Sequence, residues 1–188
     1  MWFITGHKNE PFIFVKNLFT DIDIHKIHVL GEKSETHEST ILEGDISPIR
    51  KSKNSWITST KDSEWLYRKI TDAIILVNNN FFNYDLIAFG DLQYTIYDSE
   101  DNAYYMAHTD YGFDNMTNRK LSFTIQLDDP KDYDGGELTL YDTKEGTYPP
   151  NQKGTIIFFP SYMLHEVKPV TRGIRRSLVG WVLGPKFK

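Results

Sequence analysis

The segment Tyr105-Met106-Ala107-His108-Thr109-Asp110 carries a weak motif whose meaning depends on the rest of the chain. In an extended strand alternate side chains share a face, so His108 and Asp110 point the same way. One imidazole and one carboxylate make two of the three ligands of a 2-His-1-carboxylate triad, which leaves open positions on iron(II). Alone, a His-x-Asp is ordinarily a surface pair. A third ligand, and a reason for a metal to be there, would change that reading.

Working outward, four histidines (His7, His25, His28, His37) fall early in the chain, and after them only His108 and His165 occur. His165 taken alone reads as a half-buried histidine bonded to a neighbour. Arg175 lies ten residues later, beyond Pro169-Val170-Thr171-Arg172-Gly173. A turn there pairs His165–Lys168 with Arg175–Leu183 as a hairpin. That hairpin would set His165 and Arg175 one cross-strand diagonal apart, roughly 7–8 Å at Cα. Three metal ligands with a guanidinium several ångströms off suit a dicarboxylate that chelates the metal at one end. Arginine would hold the far carboxylate with a two-pronged, charge-assisted bond. The competing role for Arg175 is a surface salt bridge.

The frame around these residues is that of an ordinary globular chain. Its 188 residues predict one domain with an independent core. Hydrophobic residues at 39% and charged residues at 25% exclude a disordered chain. A net charge of −5, with short basic clusters at Arg50-Lys51-Ser52-Lys53 and Arg172 to Arg176, argues against a nucleic-acid partner. The same charge suits a neutral or basic target. There is no cysteine, hence no disulfide, thiolate ligand or thiol nucleophile. The first residues lack a signal-peptide pattern, and no apolar run reaches the roughly 18 residues of a membrane span. The expectation is a cytoplasmic protein with no membrane partner; its oligomeric state is not legible.

Pro11 to Leu18 reads as a strand. A helix follows, capped by Thr20 and ended by Gly31. Glu32 to Asn54 is polar, with one strand expected around Glu38 to Gly44. A second helix, capped by Ser59 or Thr60, carries Trp65, Leu66, Ile70, Ala73, Ile74 and Val77 at helical spacing and ends at Asn78-Asn79-Asn80. Strands then dominate: Phe89–Tyr97, Tyr104–Asp110, Leu121–Leu127, Glu137–Tyr141 and Thr155–Phe159, before the hairpin. The predicted fold is mainly β with helical support (α+β). Its core is a double-stranded β-helix, or jelly roll, with the N-terminal helices packed on one sheet. Residues 1–88 form the strand/helix support and 89–184 the jelly-roll core of one domain.

From Phe89 to Gly184 the sequence resembles the iron(II)- and 2-oxoglutarate-dependent dioxygenases, in the prolyl 4-hydroxylase-like branch that includes the bacterial PKHD-type hydroxylases. The resemblance rests on His108-Thr109-Asp110, Arg119-Lys120-Leu121-Ser122, Asp129 to Leu138 (DPKDYDGGEL), Phe159-Pro160-Ser161 and His165 to Arg175 (HEVKPVTRGIR). It implies that His108, Asp110 and His165 bind iron and that Arg175 holds the distal carboxylate of 2-oxoglutarate, assisted by Ser177. Tyr97 matches the family's cosubstrate tyrosine, with Tyr104 or Tyr105 as alternatives. Ser122 matches a small hydroxyl position near the cosubstrate; its alternative is a solvent-facing strand residue. Trp181 shares the Arg175/Ser177 face and reads as core packing in preference to a substrate wall.

The resemblance further implies Fe(II), 2-oxoglutarate and O2, with stimulation by ascorbate. The implied reaction hydroxylates an unactivated C–H bond, on a prolyl or other side chain of a peptide or protein, with succinate and CO2 as co-products. A free amino acid or other small molecule is an alternative substrate. Nucleobase demethylases carry another arginine six residues beyond the cosubstrate arginine, where this chain has Trp181. A non-catalytic jelly-roll binding domain would be expected to lack a ligand, yet all three are present. The loops Ile46–Trp56, Ser99–Tyr105, Tyr111–Asn118 and Thr143–Gln152 are the expected substrate entrance.

Overall fold

The computed structural model describes residues 10–38, 49–112 and 118–185. Strand β1 (Ile13–Val15) is shorter than the sequence predicts, because Asn17 adopts a left-handed φ of 54° and turns the chain. Helix α1 (Asp21–Lys33) starts at Thr20 as expected. The Thr20 hydroxyl accepts from the Asp23 amide at 3.2 Å, and the Asp23 carboxylate accepts from the Thr20 amide at 3.0 Å. This reciprocal box satisfies two otherwise unpaired amides. Gly31 does not end the helix; it is buried within the last turn, and Ser34 is the C-cap.

The polar region that reads as loop contains three short strands, β2 (His37–Glu38), β3 (Arg50–Lys51) and β4 (Lys53–Ile57). Residues 39–44 of the strand expected there lie outside the described residues. Helix α2 (Glu64–Val77) buries Leu66, Ile70, Ala73, Ile74 and Val77 along one face. It begins after Ser63, because the Ser63 hydroxyl donates to the Thr58 carbonyl and accepts from the Thr60 amide, folding that segment into a turn. The asparagine run continues it as a π-helical turn over Asn78–Phe82, which stops where Asn83 takes φ 54°.

The remaining strands are β5 (Ala88–Phe89), β6 (Leu92–Asp98), β7 (Tyr104–His108), β8 (Arg119–Gln126), β9 (Asp134–Gly135), β10 (Leu138–Leu140), β11 (Ile156–Pro160), β12 (His165–Val167), β13 (Val170–Arg172) and β14 (Ile174–Leu183). Among the described residues they form an eight-stranded sheet, β1-β11-β8-β14-β6-β4-β2 with β5 beside β14, and a four-stranded sheet, β10-β12-β7-β3. The pairings are antiparallel, and β13 pairs separately with β9. This is the jelly-roll architecture that the succession of short strands after two helices predicts.

The large sheet is covered on both faces. Leu121, Phe123 and Ile125 of β8, Leu92 and Tyr94 of β6, and Leu178 and Val182 of β14 join the helices in one apolar core. The alternate residues point the other way. Ile157 and Phe159 of β11 and Tyr97 of β6 form a second core with Leu138, Leu140 and Val167 of the small sheet and its connections. Thr124, Thr95, Ser177 and Arg175 line a cavity between the sheets. Period-2 alternation therefore separates a helix-facing apolar side from a cavity-facing polar side, not a core from solvent.

The expected hairpin does not form. β12 pairs with β10 and β7, whereas β14 pairs with β6, β8 and β5. The chain between them crosses from one sheet to the other through β13, with Gly173 at φ 70° against the Asp132 carbonyl. His165 and Arg175 thus meet across the cavity between the sheets, not along neighbouring strands.

Candidate active site

β7 and β12 are neighbours, and their register sets His165 opposite His108. The two rings approach to 4.2 Å between centroids. Asp110 lies two residues past His108, beyond the strand end, and its carboxylate completes the cluster. Its Oδ1 is 3.8 Å from His108 Nε2, and its Oδ2 is 3.6 Å from His165 Nε2. All three donor atoms fall within 4.8 Å of one another.

Backbone carbonyls fix both imidazoles. His108 Nδ1 lies 2.8 Å from the Met106 carbonyl and His165 Nδ1 lies 2.9 Å from that of Met163. A carbonyl only accepts, so each Nδ1 carries a proton and each Nε2 is turned toward Asp110. Burial, then the adjacent His165, holds the His108 imidazole down to about 4, which keeps it neutral. Burial raises the Asp110 carboxyl, but the two imidazoles and a hydrogen bond from Ser122 bring it below its ordinary value. Ser122 donates to Asp110 Oδ2 at 2.7 Å and lies 2.9 Å from the Ser161 hydroxyl. Ser122 is thus fully buried beside the carboxylate, and the solvent-facing alternative fails.

Arg175 is 2% exposed, with no carboxylate partner among the described residues. Its Nη2 donates to Gln126 Oε1 at 3.1 Å, and its Nη1 is buried without a hydrogen-bond partner. The Tyr97 ring lies 5.4 Å below the guanidinium carbon. A buried guanidinium with an orphaned donor is costly unless an anion completes it. Arg175, Ser177 and Tyr97 share one cavity with His108, Asp110 and His165. Tyr105 lines it too, stacked on the His108 ring at 3.5 Å, while Tyr104 does not. Two imidazoles and a carboxylate fit iron(II), and Arg175, with its Nη1 unbonded among the described residues, fits a carboxylate.

Trp181 is a cavity wall rather than core. It lines the same space, with its ring 6.4 Å from Trp56 and the Arg119 guanidinium 4.0 Å above it. Sequence reasoning missed Arg50 altogether. It is buried, lines the cavity and lies 4.6 Å over the Tyr105 ring. Its place in a Lys- and Ser-rich tetrapeptide gave no signal of burial. Gly135 and Gly136 take φ of 74° and 67°. A Cβ on Gly136 would meet Arg175 Cδ at 2.8 Å, so the glycine makes room for the guanidinium stem. Of the expected entrance loops, residues 46–48 and 113–117 lie outside the described residues.

Residues 92–183 match the sequence pattern of the 2OG-Fe(II) oxygenase superfamily. Over that stretch this chain resembles members of that superfamily. A PKHD-type hydroxylase of Idiomarina loihiensis is 36% identical over 88 residues, covering 47% of this chain and 40% of the relative. The chain thus spans about two fifths of that relative's length. A prolyl-4-hydroxylase of Pseudomonas putida superposes with a TM-score of 0.73 at 19% identity, covering 93% of both chains. The prolyl hydroxylase of Trichoplax adhaerens, solved with a peptide fragment of the hypoxia inducible factor oxygen degradation domain, gives 0.76 at 19% identity, covering 93% of this chain and 84% of that one. At that identity the likeness establishes the oxygenase fold. Among the described residues no helix is long and apolar enough to cross a membrane.

Proposed function

We propose that this chain is an iron(II)- and 2-oxoglutarate-dependent hydroxylase of the prolyl 4-hydroxylase-like kind, acting on a peptide or protein side chain. One observation carries the reading: a 2-His-1-carboxylate cluster shares a cavity with a buried guanidinium that has no anion among the described residues. Bound iron(II), with 2-oxoglutarate and O2, supplies the oxidising power to hydroxylate an unactivated C–H bond, with succinate and CO2 as co-products. In this reading His108, Asp110 and His165 would hold the metal, and the Met106 and Met163 carbonyls keep the imidazoles in the binding tautomer. Arg175 would take the distal carboxylate, flanked by Tyr97 and Ser177. Phe159, Leu138 and Val167 wall the cavity with apolar surface and limit water. Residues 89–184 form the catalytic core and 1–88 its support, with β1 at one edge of the large sheet and β4 and β2 at the other. Stimulation by ascorbate and a cytoplasmic location belong to the same proposal.

The test is succinate formation from 2-oxoglutarate with iron(II). Turnover in the native protein and its loss in His108→Ala support the proposal. Absence of both turnover and 2-oxoglutarate binding would leave a non-catalytic jelly roll. Mass spectrometry for a +16 product, run on peptides, proteins and small molecules, then selects the substrate; a +16 product confined to free small molecules overturns the peptide assignment.

A further inference from the structure

Arg50 is the second buried guanidinium of the cavity, and among the described residues it too has no carboxylate partner. Its Nε donates to the Ser52 hydroxyl at 2.9 Å, and its Nη2 donates to Asn54 Oδ1 at 3.0 Å and Gln93 Oε1 at 2.9 Å. Every one of these acceptors is neutral. Apart from the Tyr105 ring beneath it, this buried cation is held by neutral hydrogen-bond acceptors, and no carboxylate among the described residues balances its charge. A structural staple across β3, β4 and β6 would be better made with a carboxylate at one of those three acceptors.

One donor in the same cavity is idle: the Trp181 indole N–H is buried without an acceptor among the described residues. Arg50 and this indole lie far from the end of the cavity where Arg175 sits. Tyr97 pairs with Arg175 across β6 and β14, while Gln93, which holds Arg50, pairs with Val179. Four residues of strand separate those two levels, roughly 13 Å. A single five-carbon dicarboxylate that chelates the metal and occupies Arg175 does not extend to Arg50 as well. The position of Tyr105, touching the guanidinium on one side and the His108 ring on another, sets Arg50 next to the metal cluster instead.

We infer that the molecule being hydroxylated carries a carboxylate, which Arg50 binds with support from the Trp181 indole. This rests on the hydroxylase reading above and narrows its substrate to acidic ones. The carboxylate has two sources: the α-carboxylate of a free or C-terminal residue, or an acidic side chain beside the target in a peptide. The chain's overall negative charge would favour the opposite choice, but it is spread over an exposed surface screened by salt. The cation in the cavity is buried, unscreened and directional, so it decides.

Calorimetry on the Zn(II)-loaded protein with 2-oxoglutarate present tests this without turnover. One arm compares acetyl-X with acetyl-X-amide for each of the twenty residues X. The other compares acetyl-Gly-X-Glu-amide with acetyl-Gly-X-Gln-amide. The acid member of at least one pair is expected to bind about tenfold or more tightly, and the arm in which it does so names the source. Equal binding of acid and amide across both arms, including no binding of either, overturns the inference. Gln93→Glu supplies a carboxylate to Arg50 from within and keeps the fold well paired. It is expected to raise Tm and abolish the acid preference. A raised Tm with the preference intact would make Arg50 a staple only, as would an Arg50→Gln protein that still prefers acids. Titration of 2-oxoglutarate into the native protein is the separate arm: failure there sinks the hydroxylase reading, whereas success without an acid preference sinks this inference alone.

Discussion

The Ser122 hydroxyl donates to Oδ2 of Asp110 at 2.7 Å, on the same oxygen that faces His165 Nε2 at 3.6 Å. The bond orients the carboxylate and favours its charged form. Ser122→Ala is expected to lower Zn(II) affinity about 10- to 100-fold with far-UV circular dichroism unchanged. A change smaller than twofold, read by competition with a chelator, would show that the serine does not orient the ligand.

Gly136 controls the other end of the site. An alanine there is strained at φ 67°, and its methyl would sit 2.8 Å from both Arg175 Cδ and Val170 Cγ2. The expected outcome of Gly136→Ala is weaker 2-oxoglutarate binding, by about tenfold, since the guanidinium must shift off its carboxylate. Arg175→Lys keeps the charge but loses the fork, and a loss of about 10- to 100-fold is expected. Calorimetry with Zn(II) in place of iron reads both; unchanged affinity in Arg175→Lys would remove the arginine from cosubstrate binding.

On helix propensity alone Gly31→Ala should stabilise α1 by up to about 1 kcal/mol. The structure reverses the sign. The added methyl would lie 2.5 Å from Cγ of the Tyr94 ring, which is itself fully buried. Overpacking of that kind costs about 1–3 kcal/mol. Thermal unfolding should therefore show a lower Tm for Gly31→Ala, and an increase would mean that the ring has room to move.

His28 gives the fold a pH dependence away from the metal cluster. Burial first, then the Arg176 guanidinium, lowers its pKa below the ordinary histidine value, and its Nδ1 lies 2.8 Å from the Tyr94 hydroxyl. The unfolded chain takes up a proton as pH falls through about 6.5, and the folded chain resists until a lower pH. Stability is then lost over that interval and levels off once the folded imidazole is charged. Urea unfolding at pH 7.5 and 5.5 should show the native protein losing more stability than His28→Gln; parallel losses would assign the slope to other groups.

Much of the site was legible because its ligands are rare residue types at strand ends. His108, Asp110, His165 and Arg175 do share one cavity. The pairing between them was misread, since a Pro/Gly-rich connection looks alike whether it closes a hairpin or crosses between sheets. The polar alternates of β8 were ambiguous for a related reason. Ser122, Thr124 and Gln126 alternate with apolar neighbours as solvent-facing residues do, but a jelly roll turns that face onto a polar interior. Arg50 was illegible because nothing local marks one arginine of a basic cluster as buried; β3 turns it inward by pairing with β7 more than fifty residues away in sequence.

The position of β14 has a consequence for how the protein is made. It lies between β8 and β6, so the β1-β11-β8 half of the large sheet and the β6-β4-β2 half have no hydrogen-bonded connection until residues 174–183 are in place. During synthesis both halves must wait with open edges, β8 on one side and β6 on the other, until the ribosome has released the strand that also carries Arg175. Open edges of this kind are sites of mispairing. The nascent chain is therefore most exposed to aggregation, and most in need of a chaperone, in the interval just before Arg175 emerges.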